Sequence, residues 1–243
     1  MKKLLYGVFA VLVLIGNLYA DSGEWEYKWS QLPDMTIFGR DVNATSPNIL
    51  ADDWLCENGL PITDLHWWGS YLGWGADSAI PDLKLVQHPD MFIFSQHIDI
   101  PAGGQFPFSQ PGPQINGAQA ALGQYTWNYY GSIQHPSGMW EHVFQYNYIL
   151  PVNWLQEQGQ IYWLDISAIY NAGTQFPWGW HTSATQWNDS AVMNIPGIAG
   201  WEPITYPEKT DLAFEVSTVP EPGATMLFGF GAVCWFIRRL RKI

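Results

Sequence analysis

Three acids, Asp53, Glu141 and Asp165, are the candidates for hydrolytic chemistry in this chain. Cleaving a glycosidic bond takes two carboxyl groups facing each other across a cleft, roughly 5–9.5 Å apart. Their local settings argue against that use. Glu141 falls on the polar side of an alternating segment, and Asp165 falls opposite the apolar residues of "IYWLDISAIY". A second candidate chemistry is sugar recognition. "WWGSYLGWG" groups Trp67, Trp68, Tyr71 and Trp74, and "FPWGWHTSATQWNDSAV" holds Trp178 and Trp180. Flat aromatic faces stack on sugar rings, while core packing or a structural corner would use the same residues. Asp52 and Asp53, with Asn48 nearby, offer oxygen ligands for a structural Ca2+, although the EF-hand spacing is absent. No other cofactor is expected. His66, His97, His135, His142 and His181 are scattered, with no helical pair of zinc-binding spacing. There is no nucleophile elbow, phosphate loop or His-Glu-x-x-His helix.

The elements that would hold these residues read as strands. Apolar and polar residues alternate with period two in several segments, as on a half-buried strand. "DMFIFSQHIDI" puts Phe92, Phe94, Ile98 and Ile100 on one face. "MWEHVFQYNYIL" does the same for Trp140, Phe144, Tyr146, Tyr148 and Leu150, and "IYWLDISAIY" for Tyr162, Leu164, Ile166, Ala168 and Tyr170. "DLAFEV" turns Leu212, Phe214 and Val216 inward; "ITDLHWW" and "GQYTWNYYG" are further strands. Gly- and Pro-rich stretches such as "PAGGQFPFSQPGPQ" read as loops, and "VNWLQEQ" as a turn or two of helix. Seven to nine short strands predict an all-β fold, a β-sandwich of jelly-roll-like kind.

Charge narrows the partners. Between Asp21 and Thr218 stand four cationic residues, Lys28, Arg40, Lys84 and Lys209, against 21 acids, a formal −17. Such a surface repels nucleic acid and anionic lipid, so neither is expected as a partner. Cys56 is the only cysteine in that stretch, which excludes an internal disulfide and thiolate metal clusters. Placed after Trp54 and Leu55, it reads as a buried thiol.

The two ends are built differently. "MKKLLYGVFAVLVLIGNLYA" has two lysines, an apolar stretch and a small residue at Ala20, the three-part pattern of a signal peptide over residues 1–20, cut by signal peptidase. Residues 219–243 begin Val219-Pro220-Glu221-Pro222. They continue through a charge-free run, 224–237, and finish with Arg238, Arg239, Arg241 and Lys242. As a helix that run rises about 21 Å, short of a roughly 30 Å hydrocarbon core. Snorkelling arginines make up part of the difference and hold that end in the cytoplasm. A single C-terminal transmembrane helix is therefore expected, with the domain on the far side of the inner membrane.

This tail resembles the PEP-CTERM sorting signal in order, spacing and position. The resemblance implies an exported bacterial protein whose tail is recognised at Pro-Glu-Pro and removed by an exosortase-type membrane protease. It also implies delivery to the cell surface or an exopolysaccharide matrix. The segments "KWSQLPDMTIFGRDVNA", "ILADDWLCENGLPITDLHWWGSY", "YWLDISA" and "GWHTSATQWNDSAV" are similar to an uncharacterised domain of secreted bacterial proteins, which adds location and architecture but no activity. The expected organisation is therefore 1–20 signal peptide, 21–218 β-sandwich, 219–243 sorting signal. The leading expectation is a non-catalytic surface or matrix protein, structural or adhesive, binding glycan through exposed tryptophans. A polysaccharide-active enzyme is the alternative.

Overall fold

Strands arise wherever the sequence alternates. A computed structural model describes residues 26–205 and 209–218. The expected signal peptide, Val219, Pro220, Glu221, Pro222, the apolar run and the terminal basic cluster lie outside the described residues. Thirteen strands follow in order: β1 Glu26–Gln31, β2 Asp41–Asn43, β3 Ile49–Leu55, β4 Ile62–Tyr71, β5 Met91–Ile100, β6 Gln110–Ala121, β7 Thr126–Gln134, β8 Trp140–Trp154, β9 Ile161–Ile169, β10 Trp178–His181, β11 Val192–Asn194, β12 Glu202–Pro203 and β13 Phe214–Thr218. A single 3-10 turn, Leu83–Leu85, is the only helical element among the described residues. None of their helices is long and apolar enough to cross a membrane.

Two antiparallel sheets result, and a sandwich fits them. In the first, β4 is the hub. It pairs with β8 along one edge, and β8 with β7. Along its other edge it pairs with β13 over Asp64–Trp67 and with β10 over Gly69–Tyr71. Beyond these lie β1 and β2. The second sheet runs β12-β11-β3-β9-β5-β6.

The inward faces meet in one aromatic core. Trp67 of β4 lies 5.0 Å and 4.8 Å, centroid to centroid, from Phe92 and Phe94 of β5, edge to face, and stacks on Tyr146 of β8 at 5.6 Å. Trp178 of β10 meets Phe92 at 4.9 Å. Edge-to-face and offset pairs are the favoured geometries and each adds about 0.5–1.5 kcal/mol beyond area burial. Close packing here needs a glycine. A Cβ on Gly69 would come within 2.4 Å of the Trp178 ring and 2.3 Å of the Gly179 carbonyl.

Each sheet also carries apolar residues on its outer face, under a second cover. Trp68, Ile133, Val143 and Ala213 pack with Met35 outside the first sheet, and Ala51, Trp163 and Val192 with Phe108 and Trp201 outside the second. The expected alternation holds for Phe144, Tyr146, Tyr148 and Leu150, which are buried, while Trp140 is only half-buried. Ile98 is exposed rather than inward, because register shifts on both sides of His97 break the pleat. "VNWLQEQ" is not helical: its first residues finish β8. "QPGPQ" opens β6 rather than a loop. That strand lies at the edge of its sheet, where a proline's missing N–H costs no ladder bond.

Replacing Phe144 with Ala should cost about 3–5 kcal/mol, the range for large core aromatics. Replacing half-buried Trp140 should cost about 1–2 kcal/mol. Urea unfolding of the two variants checks the difference, and equal losses would contradict this core.

Candidate functional site

The expected tryptophan platform does not form. Trp67, Trp68, Trp178 and Trp180 are sealed from solvent, and Tyr71 is buried with its hydroxyl on Tyr146 Oη at 2.9 Å and on His88 Nδ1 at 2.6 Å. Adjacent Trp67 and Trp68 do point to opposite faces, as a strand requires. Yet Trp68 meets the outer cover rather than water. Trp74 is half-buried, stacked along Phe144 and edge-on to Tyr71. Five of the six candidate rings are thus buried among one another, and Trp74 is the one left partly exposed.

The three acids weighed for hydrolysis are divided between the two outer faces. Glu141 shares its side of β8 with Val143, outside the first sheet. Asp53 and Asp165 share theirs with Ala51 and Trp163, outside the second. Asp165 accepts from His97 Nε2 at 2.9 Å. The open groove of about 860 Å³ elsewhere on the molecule is lined by Asp99 and Glu157 instead.

Asp52 and Asp53, the residues considered for calcium, do not converge, because adjacent strand residues face opposite ways. Asp52 points inward, where its oxygens accept from the Leu212 amide at 2.6 Å, the Asp53 amide at 2.9 Å and Gln31 Nε2 at 3.3 Å. Asp53 points outward and accepts from Asn188 Nδ2 at 2.6 Å. Burial pushes the Asp53 carboxyl up to about 8; the Asn188 bond pulls it down, while Asp211, Asp99 and Asp189 add to the rise.

The convergence that does occur lies outside the first sheet, where β2, β10, β4 and β8 run side by side. Asp41 of β2 is directly opposite His181 of β10, Ser70 of β4 is opposite Gly179, and β8 brings Glu141. His181 Nδ1 lies 3.0 Å from Asp41 Oδ1 and 3.4 Å from Glu141 Oε1. Ser70 Oγ touches Asp41 Oδ2 and is 3.1 Å from Glu141 Oε1. Behind them, His135 Nε2 is 2.7 Å from Glu141 Oε2, and His181 Nε2–H donates to the Asp34 carbonyl at 3.0 Å.

Local sequence makes this approach feasible. The Asp34–Arg40 turn folds back on β10 through the Asp34 amide to the Thr182 carbonyl, 2.9 Å. A Cβ at Gly39 would sit 1.8 Å from the Asp34 carbonyl and 2.9 Å from His181 Nε2. A Cβ at Gly179 would sit 2.5 Å from Asp41 Cβ. "FGRD" and "WGWH" thus carry glycine where the site needs room.

Electrostatics follow from burial. Burial and the Glu141 charge raise Asp41 to about 7. For Glu141 burial works upward, but bonds from His181, Asp41 and His135 overrule it and hold the group at about 2. His181 is lifted to about 10 by Asp41 and Glu141 against the burial penalty. Asp41, Glu141 and His181 are the one set of three metal-ligating side chains, among the described residues, whose donor atoms all lie within 4.8 Å of one another. The sequence considered Glu141 and His181 separately and Asp41 not at all. The only linear signal was the pair of glycines.

A superficially catalytic group, Asp64–His66–Ser217, is wired differently from a nucleophilic triad. His66 Nε2 faces Asp64 Oδ2 at 2.7 Å, and the Ser217 hydroxyl is tied to that same oxygen. Nδ1 is engaged by Asn147 Oδ1 at 2.6 Å. Cys56, expected as a buried thiol, is buried and free.

Asp53 sets a pH dependence. Its carboxyl keeps its proton in the folded state up to about 8, whereas an unfolded chain releases it near 3.9. Stability therefore falls as pH rises between those values, by at most about 1.4 kcal/mol per unit, and levels off above them. Asp53→Asn should leave stability unchanged near pH 4 and raise it near pH 8, read by urea unfolding at both. An equal effect at both pH values would contradict a buried, protonated Asp53.

No curated protein matches the chain. Residues 218–242 match the PEP-CTERM protein-sorting motif, which implies export, membrane-anchored sorting and processing by exosortase, a membrane protease. Residues 27–217 match the family described as Domain of unknown function (DUF7901). That match spans nearly the whole described domain, and the chain belongs to this family.

Proposed function

We propose that the mature protein is a non-catalytic structural module of the cell surface or extracellular polysaccharide matrix, released there after exosortase removes its tail. The observation that carries this reading is the sorting motif at 218–242, which follows the domain at 27–217 without a gap. The remainder supports it from chemistry. Hydroxyls and carboxyls that could react are tied to one another in the Asp41–Ser70–Glu141–His181 and Asp64–His66–Ser217 groups. His181 is 0 % exposed, and Ser217 likewise. The formal −17 of residues 21–218 suits a hydrated, like-charged surface layer and opposes contact with nucleic acid. A structural role needs rigidity rather than access, and the two covered sheet faces supply it.

The full chain produced in a bacterium with an active exosortase tests this. Wild type should appear outside the inner membrane as a shortened product, measured by mass spectrometry. Glu221→Ala should accumulate uncut in the membrane fraction. Identical processing of the variant, or a cytosolic wild-type domain, would overturn the reading. For the structural role, iodide should quench the tryptophan emission of the folded product far less than that of the urea-unfolded chain.

A further inference from the structure

We propose that Asp41, Glu141 and His181 form a binding site for one divalent transition-metal ion of the Zn2+ type, serving as a structural clamp between β2, β8 and β10. The argument begins with separation. Ligand atoms about 2.0–2.1 Å from a tetrahedral Zn2+ lie roughly 3.3–3.4 Å from one another. His181 Nδ1 lies 3.0 Å from Asp41 Oδ1 and 3.4 Å from Glu141 Oε1. Both nitrogen–oxygen distances are within a few tenths of an ångström of that spacing, and all three donor atoms lie within 4.8 Å of one another.

Direction is the second observation. The His181 Nε2–H is committed to the Asp34 carbonyl, so Nδ1 is the atom aimed at the carboxylates. A histidine that binds a metal through one ring nitrogen characteristically donates from the other to a backbone carbonyl or carboxylate. The turn that provides this carbonyl is the one whose Gly39 has no room for a Cβ. Glu141 is oriented in the same way, its second oxygen taken by His135.

The third observation is that two carboxylate oxygens converge on a single ring nitrogen inside the protein. One N–H at Nδ1 can serve only one of them well. An ion serves both carboxylates where the described ion pairs provide only histidine. The Ser70 hydroxyl lies against both carboxylates, where a fourth ligand would approach. Glu141 and His135 reach the surface, with His135 33 % exposed at its side chain, and give the ion a way in. One nitrogen and two or three oxygens in a closed site suit Zn2+, not Ca2+, which takes six to eight oxygens.

The experiment uses the full chain, purified in detergent without a histidine tag and stripped with chelator. Titration with Zn2+ at pH 7.5 should show one equivalent bound with sub-micromolar Kd. Co2+ should develop the visible bands of a four- or five-coordinate complex. His181→Gln and Glu141→Gln should each lower affinity by more than 100-fold, and the outer-sphere His135→Ala by about 10–100-fold. Circular dichroism identifies any variant that fails to fold. Wild-type titration and the Co2+ spectrum decide the matter without the variants. Absence of binding by wild type below millimolar Zn2+ would overturn the proposal, as would unchanged affinity in a folded His181→Gln. In that outcome the contacts are an imidazolium ion pair alone. Failure of the sorting experiment above would leave this result untouched.

Discussion

Histidine is the cation paired with several of this domain's buried and half-buried acids. Four lysines and arginines among residues 21–218 cannot match 21 acids, and the chain does not leave all the acids in water. Five ion pairs between described residues draw their positive partner from a histidine: His66 on Asp64, His97 on Asp165, His135 on Glu141, and His181 on both Asp41 and Glu141. Burying a charge is tolerable only when it is paired, hydrogen-bonded or neutralised by a proton. Each remedy is used here. His66 and His97 pair; Asp52 gathers three N–H donors, yet burial and the neighbouring Asp211 and Asp53 still push its carboxyl well above the usual range; and Asp53 retains its proton.

The aromatic interior answers a different shortage. No disulfide is available to hold the domain, so burial must supply what cross-links supply in many secreted proteins. Each indole removes roughly 150–250 Å² from water. Such large rings leave few arrangements that fill space without voids. Trp67 fits only because Phe92, Phe94 and Tyr146 present edges and a face at the right places, and Trp178 only because position 69 is glycine. The same constraint holds the strands in register. Slipping β10 by one residue against β4 would drive Trp178 outward and Gly179 into the core.

Much of this was legible in sequence, and the failures are instructive. Period-two alternation located β5, β8 and β9 and the inward set Phe144, Tyr146, Tyr148 and Leu150. It also placed Trp67 and Trp68 on opposite faces. What alternation does not encode is whether an outward face meets water or a second layer. Met35 over Trp68 and Trp201 over Trp163 come from distant segments, so the covering of Trp68, a glycan-binding candidate, could not be read from its own segment. Prolines concealed β6, since a rule for central strands does not govern an edge. Asp41, Glu141 and His181 meet only through the strand order β2-β10-β4-β8. Residue spacing carries no trace of that order, and the glycines at 39 and 179 mark it only once the neighbours are known.

Topology also bears on the tail. β13 is the last strand, yet it is not peripheral. It lies between β1 and β4, and all five of its residues are buried. The first sheet therefore cannot be completed until residue 218 is in place. One residue, Val219, separates Thr218 from Pro220, and a single extended residue spans at most about 3.6 Å. The recognition tripeptide is thus covalently held next to a strand whose docking closes the fold. Pro220 and Pro222 suit this position. Neither can donate a backbone N–H, so the tripeptide is a poor continuation of the β13 ladder. The strand that finishes the domain ends where the sequence destined for removal begins, and a cut beyond Thr218 leaves every buried residue of β13 in the released product.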